Sequence, residues 1–245
     1  IPLFVLCLAA QSHATPFKIT LTNLSNNVLT PAPFITHDAS FDLFTAGTPA
    51  SPEVEALAEG GDVTGVTALA ALAVGTSVLD YAVTPGGPLT PGTSAYVMVE
   101  ADTSYSMLSF MSMLAVSNDA FIGGAYGDGA ISLFSGATPL AGSYMFFAMD
   151  VWDAGTEVNT ELAAHVPGFF GGMGGLDENG NIFRPHLGIL GIGDIDPAIW
   201  GWAEGAVARI DVEPVPEPAT MFLFGSGLAG LAGNFIRRKK ITATQ

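Results

Sequence analysis

Two carboxylates stand four residues apart in Asp153-Ala154-Gly155-Thr156-Glu157, directly after an apolar stretch that ends at Trp152. The glycine lets the backbone turn back on itself, so Asp153 and Glu157 can aim at one point. Hard divalent cations want this arrangement: calcium takes six to eight oxygen ligands from carboxylates, carbonyls and water in a flexible cage. Asp119, in Ser117-Asn118-Asp119, ends another apolar stretch. If those two strand ends are neighbours, three carboxylates meet at one edge of a sheet. The plainer reading of the same spacing is a solvated acidic turn.

Other candidates carry less chemistry. His37, His165 and His186 are far apart and show no metal-ligand spacing. Each reads as a surface or loop histidine. Asp194-Ile195-Asp196 before Pro197 reads as a polar turn. Asp177-Glu178-Asn179-Gly180-Asn181 has a calcium-like composition without the full EF-hand loop. Gly123 to Gly129 is glycine-rich, but no Lys-Ser/Thr follows and Asp128 suits phosphate poorly. No Gly-x-Ser-x-Gly elbow is present. A Ser-His-Asp triad needs no sequence proximity and stays open. Trp200 and Trp202 alternate and read as core packing.

These residues need a frame. Phe17 to Thr22, Ala95 to Ala101 and Ala206 to Val212 alternate as half-buried strands do. Met107 to Val116 is almost continuously apolar and predicts a central strand covered on both faces. Phe121-Ile122, Ala130 to Phe134, Tyr144 to Trp152 and Leu187 to Ile192 add further strands. Asn23 to Asp38 reads as loop, and so do Gly168 to Gly175 and Asp177 to Asn181. Pro52 to Glu59 predicts a short helix, with Ser51 as N-cap and Gly60-Gly61 as its stop. Ala68 to Val74 fits helix or strand. About eight strands at this spacing predict an all-β antiparallel sandwich.

Charge narrows the partners. Residues 15–213 carry three basic residues (Lys18, Arg184, Arg209) against 22 acidic ones, a net of −19. That excludes nucleic acid, whose phosphates require Lys and Arg, and disfavours anionic membrane surfaces. The chain's single cysteine, Cys7, lies in an apolar N-terminal segment. Ser12-His13-Ala14 there is a small-x-small cleavage pattern, so residues 1–14 read as a leader, truncated at its start and cut after Ala14. The mature chain then has no disulfide, and its stability rests on its core, on metal, or on both.

The other end is a sorting tail. Glu213 to Pro218 is a Pro-rich linker and 214–245 follow as a separate segment. Ala219 to Ile236 is 18 uncharged residues, near the lower limit for a spanning helix. Arg237, Arg238, Lys239 and Lys240 behind it stay cytoplasmic by the positive-inside rule. Together with Pro216, Glu217 and Pro218 this resembles the PEP-CTERM sorting signal of Gram-negative bacteria. The resemblance implies export across the inner membrane, anchoring there before processing, and an exosortase-type enzyme as a partner.

The domain between, residues 15–213, resembles the spondin family. Leu108 to Asp119 is similar to its Ser-x-x-Ser-Met strand leading into Pro-Ser-Pro-Asp-Trp. Asp150 to Glu157 is similar to its segment ending Asp-Ala-Gly-Thr-Asp, and Ala58-Glu59-Gly60-Gly61 to its Ala-Glu-x-Gly stretch. The resemblance implies a C2-like antiparallel β-sandwich with calcium at one end, held by Asp119, Asp153 and Glu157. Here Glu157 replaces the family's last Asp. Val116, Asn118 and Ala120 stand where the family has Pro, Pro and Trp. The expectation is a non-enzymatic, calcium-binding surface protein that acts in adhesion or biofilm through exopolysaccharide or other matrix components. An exported polysaccharide hydrolase using paired acids and a metal-free structural matrix protein are the alternatives.

Overall fold

The computed structural model describes residues 14–166, 171–172, 174–178, 181–202 and 205–216. The expected leader up to His13, the Glu217-Pro218 part of the sorting motif, the helix over 219–236 and the basic cluster Arg237 to Lys240 lie outside the described residues. Among the described residues no helix is long and apolar enough to cross a membrane. The chain divides into two compact units, Ile1–Pro214 and Val215–Gln245. The described strands all belong to the first unit.

These strands are β1 (Thr15–Asn23), β2 (Pro33–His37), β3 (Val78–Val83), β4 (Ser94–Ala101), β5 (Met107–Met113), β6 (Ala120–Gly124), β7 (Ile131–Ser132), β8 (Phe134–Ser135), β9 (Thr138–Pro139), β10 (Gly142–Phe147), β11 (Val151–Asp153), β12 (Arg184–Pro185) and β13 (Ala206–Pro214). One sheet has the order β10-β13-β1-β4, and the other β12-β11-β6-β5-β2-β3 with β7 added to β5; β8 and β9 form a small hairpin. All pairings within these sheets are antiparallel.

The inner faces bury one core. Phe17, Ile19, Leu21, Val97, Val99, Ile210 and Val212 of the first sheet belong to the same cluster as Phe34, Leu108, Phe110, Ile122 and Val151 of the second. Trp202 belongs to it too, with Trp200 packed against it, as their alternation indicates. The outer face of the second sheet is covered by α1 (Pro52–Gly60) and α2 (Thr64–Ala73), whose Val54, Leu57, Val66 and Ala70 pack with Ile35, Met111 and Phe121. Covered on both sides, β5 has no need of alternation, which accounts for its apolar run.

Helix α1 follows its capping signals. Ser51 Oγ accepts from Val54 N, and Gly61 closes the helix in the left-handed region at φ 67°. A Cβ at Gly61 would lie 2.6 Å from Thr30 Cγ2, so glycine is required on two counts. Ala68 to Val74 resolves as the later part of α2 and the residue that follows it.

Four expectations are corrected. Residues 33–37 form strand β2 within the stretch read as loop; buried on both faces, it shows no alternation to read. Strand β3 has no counterpart among the expected strands. Tyr144 to Trp152 is not one strand: the 3-10 turn Ala148–Asp150 sends β10 into one sheet and β11 into the other. Leu187 to Ile192 is not a strand, since Gly188 and Gly191 take φ of 88° and 72° and the amides of 190–192 bond a side chain instead of a neighbouring strand.

Candidate functional site

The strand ends carrying the acids are neighbours. In the β11–β6 ladder Asp153 stands opposite Ala120, one residue from Asp119. Ala154 N donates to Asp119 O at 3.3 Å. The turn before β6 is fixed by Ser117, whose Oγ donates to Leu114 O and accepts from Ala120 N.

Asp119 is fully buried. Its Oδ2 accepts from the backbone N of Thr156 at 2.9 Å and of Glu157 at 3.2 Å. Its Oδ1 is buried without a hydrogen-bond partner. Asp153 is 3% exposed. Its Oδ1 accepts from Gly155 N at 2.8 Å, and its Oδ2 from Asn159 Nδ2 at 2.7 Å and Arg184 Nη2 at 3.2 Å. Arg184 also bonds Glu178 at 2.9 Å.

Gly155 has φ 69°, and a Cβ there would sit 2.9 Å from Ile182 backbone atoms. The glycine of the Asp-Ala-Gly-Thr segment therefore serves both conformation and close approach. Glu157 is buried with its carboxylate turned onto another loop: Oε1 accepts from Gly175 N and Oε2 from Asn118 Nδ2. Asn118 bonds onward through Oδ1 to Glu161 N. Glu161, also buried, accepts from the amides of Leu190, Gly191 and Ile192 at 2.6, 2.6 and 2.9 Å.

Among the described residues, the metal-ligating side chains that converge are Asp119, Asp153 and His186, each offering one atom within 4.8 Å of the others. Glu157 is not in that group. His186, read from sequence as a surface or loop histidine, is buried here, and so is His37, whose Nε2 lies 2.7 Å from Ser109 Oγ. The correction has one cause in both: a neighbouring polar side chain satisfies the ring, so burial carries no orphaned nitrogen. His165 lies in a short 3-10 helix with Nδ1 2.8 Å from Thr160 Oγ1.

Glu59, at the end of α1, joins the acids from a segment to which sequence assigns no site role. Its carboxyl feels the charges of Glu157 and Asp119. No spacing signal links Glu59 or His186 to the acids, because tertiary packing alone brings them there.

Electrostatics follow from burial. Desolvation, and then the Asp153 charge, push Asp119 up to about 7. Desolvation also raises Glu59 to about 7 and raises Glu157, which the Gly175 amide and Asn118 partly offset. Burial lowers His186, against the raising pull of the Asp153 and Glu161 charges. Clustered buried acids with one unpartnered oxygen disfavour their own ionisation, and a divalent cation would relieve this. That donor chemistry fits an oxygen-ligated cation.

Asp177 pairs its backbone with Glu157, and the Asp196 carboxylate caps the helix α3 (Pro197–Trp200). Asp194 accepts from Ala163 N.

A family model described as Spondin_N matches residues 11–164, and one described as the PEP-CTERM protein-sorting motif matches residues 214–239. Both are non-catalytic families, and the second marks export, sorting to the cell surface of Gram-negative bacteria and processing by an exosortase. No curated protein matches the chain.

Proposed function

We propose, from the premise that this chain belongs to the Spondin_N family and carries a PEP-CTERM motif, that it is a surface protein that binds calcium at one edge of its sandwich and acts in adhesion or in the exopolysaccharide matrix. The observation that carries the reading is Asp119 Oδ1, an acceptor buried without a partner in a group with Asp153. Asp119 and Asp153 are the principal ligands, and Glu157 joins by turning its longer side chain from Gly175. Carbonyls and water complete a calcium shell.

Bound cation would neutralise the acids and tie the end of β6 to the 153–157 loop. Asn118, bonded to Glu157 and Glu161, would carry that ordering to the 187–192 loop. The matrix role is favoured by the acidic charge, which suits calcium-bridged contact with anionic polysaccharide.

Calcium titration with thermal melting tests the reading. A ligand that binds only the folded state adds about 2.7 kcal/mol at a hundred times its dissociation constant. A calcium-dependent rise in Tm that Asp153→Ala abolishes is expected. No binding at millimolar calcium would overturn it in favour of a metal-free matrix protein.

A further inference from the structure

His186 converges with Asp119 and Asp153. Two carboxylates and an imidazole are the donor set of transition-metal sites. The hydrogen bonds around the ring point elsewhere. Gly188 N donates to His186 Nδ1 at 2.9 Å, which occupies the lone pair of that nitrogen. A ring that accepts at Nδ1 carries its hydrogen on Nε2. Nε2 lies 3.0 Å from Asn159 Oδ1, and Asn159 Nδ2 donates to Asp153 Oδ2 at 2.7 Å. The bonds run in one direction, from Gly188 through His186 and Asn159 to Asp153.

We infer that His186 is a positioning residue of the cation site and not a ligand: its relay through Asn159 orients the Asp153 carboxylate and keeps the donor set all-oxygen. The inference rests on the calcium reading for its consequence and on the hydrogen bonds for its geometry. To coordinate through Nε2 the ring would have to lose its only N–H proton or move that proton to Nδ1, breaking the Gly188 bond. Gly188 has little freedom to follow, because Glu161 fixes the amides of Leu190, Gly191 and Ile192 just beyond it. His186 N is itself bonded to Val151 O at 2.8 Å. The site therefore selects hard cations over zinc-like ones. Partners of this kind, when lost from metal sites, typically cost about 10–100-fold in affinity.

The test is a long-range 1H–15N spectrum of the full chain labelled at histidine, taken without metal, with calcium and with zinc. A His186→Gln sample assigns the resonance. The expected result is a ring protonated at Nε2 in all three states. Calcium affinities of His186→Ala, Asn159→Ala and the double variant complete it: each single change weakens binding about tenfold and the second adds little to the first, as in a shared relay. A ring protonated at Nδ1, or loss of the Nε2 proton on adding calcium or zinc, makes His186 a ligand and overturns the inference. Additive losses overturn the relay. Should calcium fail to bind, the calcium reading falls, while the metal-free and zinc spectra still decide the role of His186.

Discussion

Asp153 lies opposite Ala120 in the β11–β6 ladder, and this register brings its carboxylate beside that of Asp119. Two acids from separate strands thus share one buried spot without a counter-charge on Asp119 Oδ1.

Asp119→Asn keeps the shape and removes the charge. Its Oδ1 can accept from Thr156 and Glu157, while its amide NH2 faces the position Asp119 Oδ1 holds. With a chelator at pH 8 the variant is expected to melt higher than the wild type, by an amount on the order of 1 kcal/mol or more. It should gain nothing from calcium. Paired melting curves with and without calcium check both.

Asp119 and Glu59 both titrate near 7 in the folded protein, above their ordinary values of 3.8 and 4.5. Between about pH 4 and 7 the folded state thus holds more protons than the unfolded one. Stability without cation is fully present below that window and falls as pH rises through it, with Asp119 contributing up to about 1.4 kcal/mol per pH unit. Calcium should reverse the trend, since it binds the ionised acids. Chemical denaturation at pH 5, 6, 7 and 8, with chelator or calcium, measures the slopes; Glu59→Gln should flatten the first.

Arg184→Ala removes the cation bonded to Asp153 and Glu178. Because Arg184 is 39% exposed, the cost to metal-free stability is modest, about 1 kcal/mol. Calcium affinity should rise by roughly three- to tenfold, as a competing positive charge leaves the site. Isothermal titration reads that change, and an unchanged or lower affinity would show that Arg184 organises the site instead of competing for it.

Gly155→Ala places a Cβ against Ile182 in a left-handed residue. The backbone conformation alone costs about 1–2 kcal/mol, and the contact adds to it. A fall in Tm with weakened calcium response is expected; a wild-type melt would mean the loop relocates freely.

Much of this frame is legible in the sequence. Alternation at Phe17 to Thr22 and Ala206 to Val212 marks strands with one buried face, and Ser51, Pro52 and Gly61 bracket α1. β2 escapes because α1 and α2 cover its outer face, so Phe34 and Ile35 are both buried and no period of two survives. The site is half legible. The Asp-Ala-Gly-Thr-Glu segment announces its turn through Gly155, whereas His186 and Glu59 arrive by packing from remote segments. Glu157 points to the site by spacing, yet its extra methylene lets it reach the Gly175 amide.

β13 has a further consequence through its place in the sheet. It is hydrogen-bonded along both edges, to β1 from Phe17↔Pro214 to Asn23↔Ala208 and to β10 from Gly142↔Val212 to Phe147↔Ala206. Residues after Pro214 continue directly from its end. A pull along the chain from that side loads two ladders in shear, so their bonds must give way together and not one after another. The strand that leads into the sorting tail is thereby also a mechanically resistant end of the sandwich.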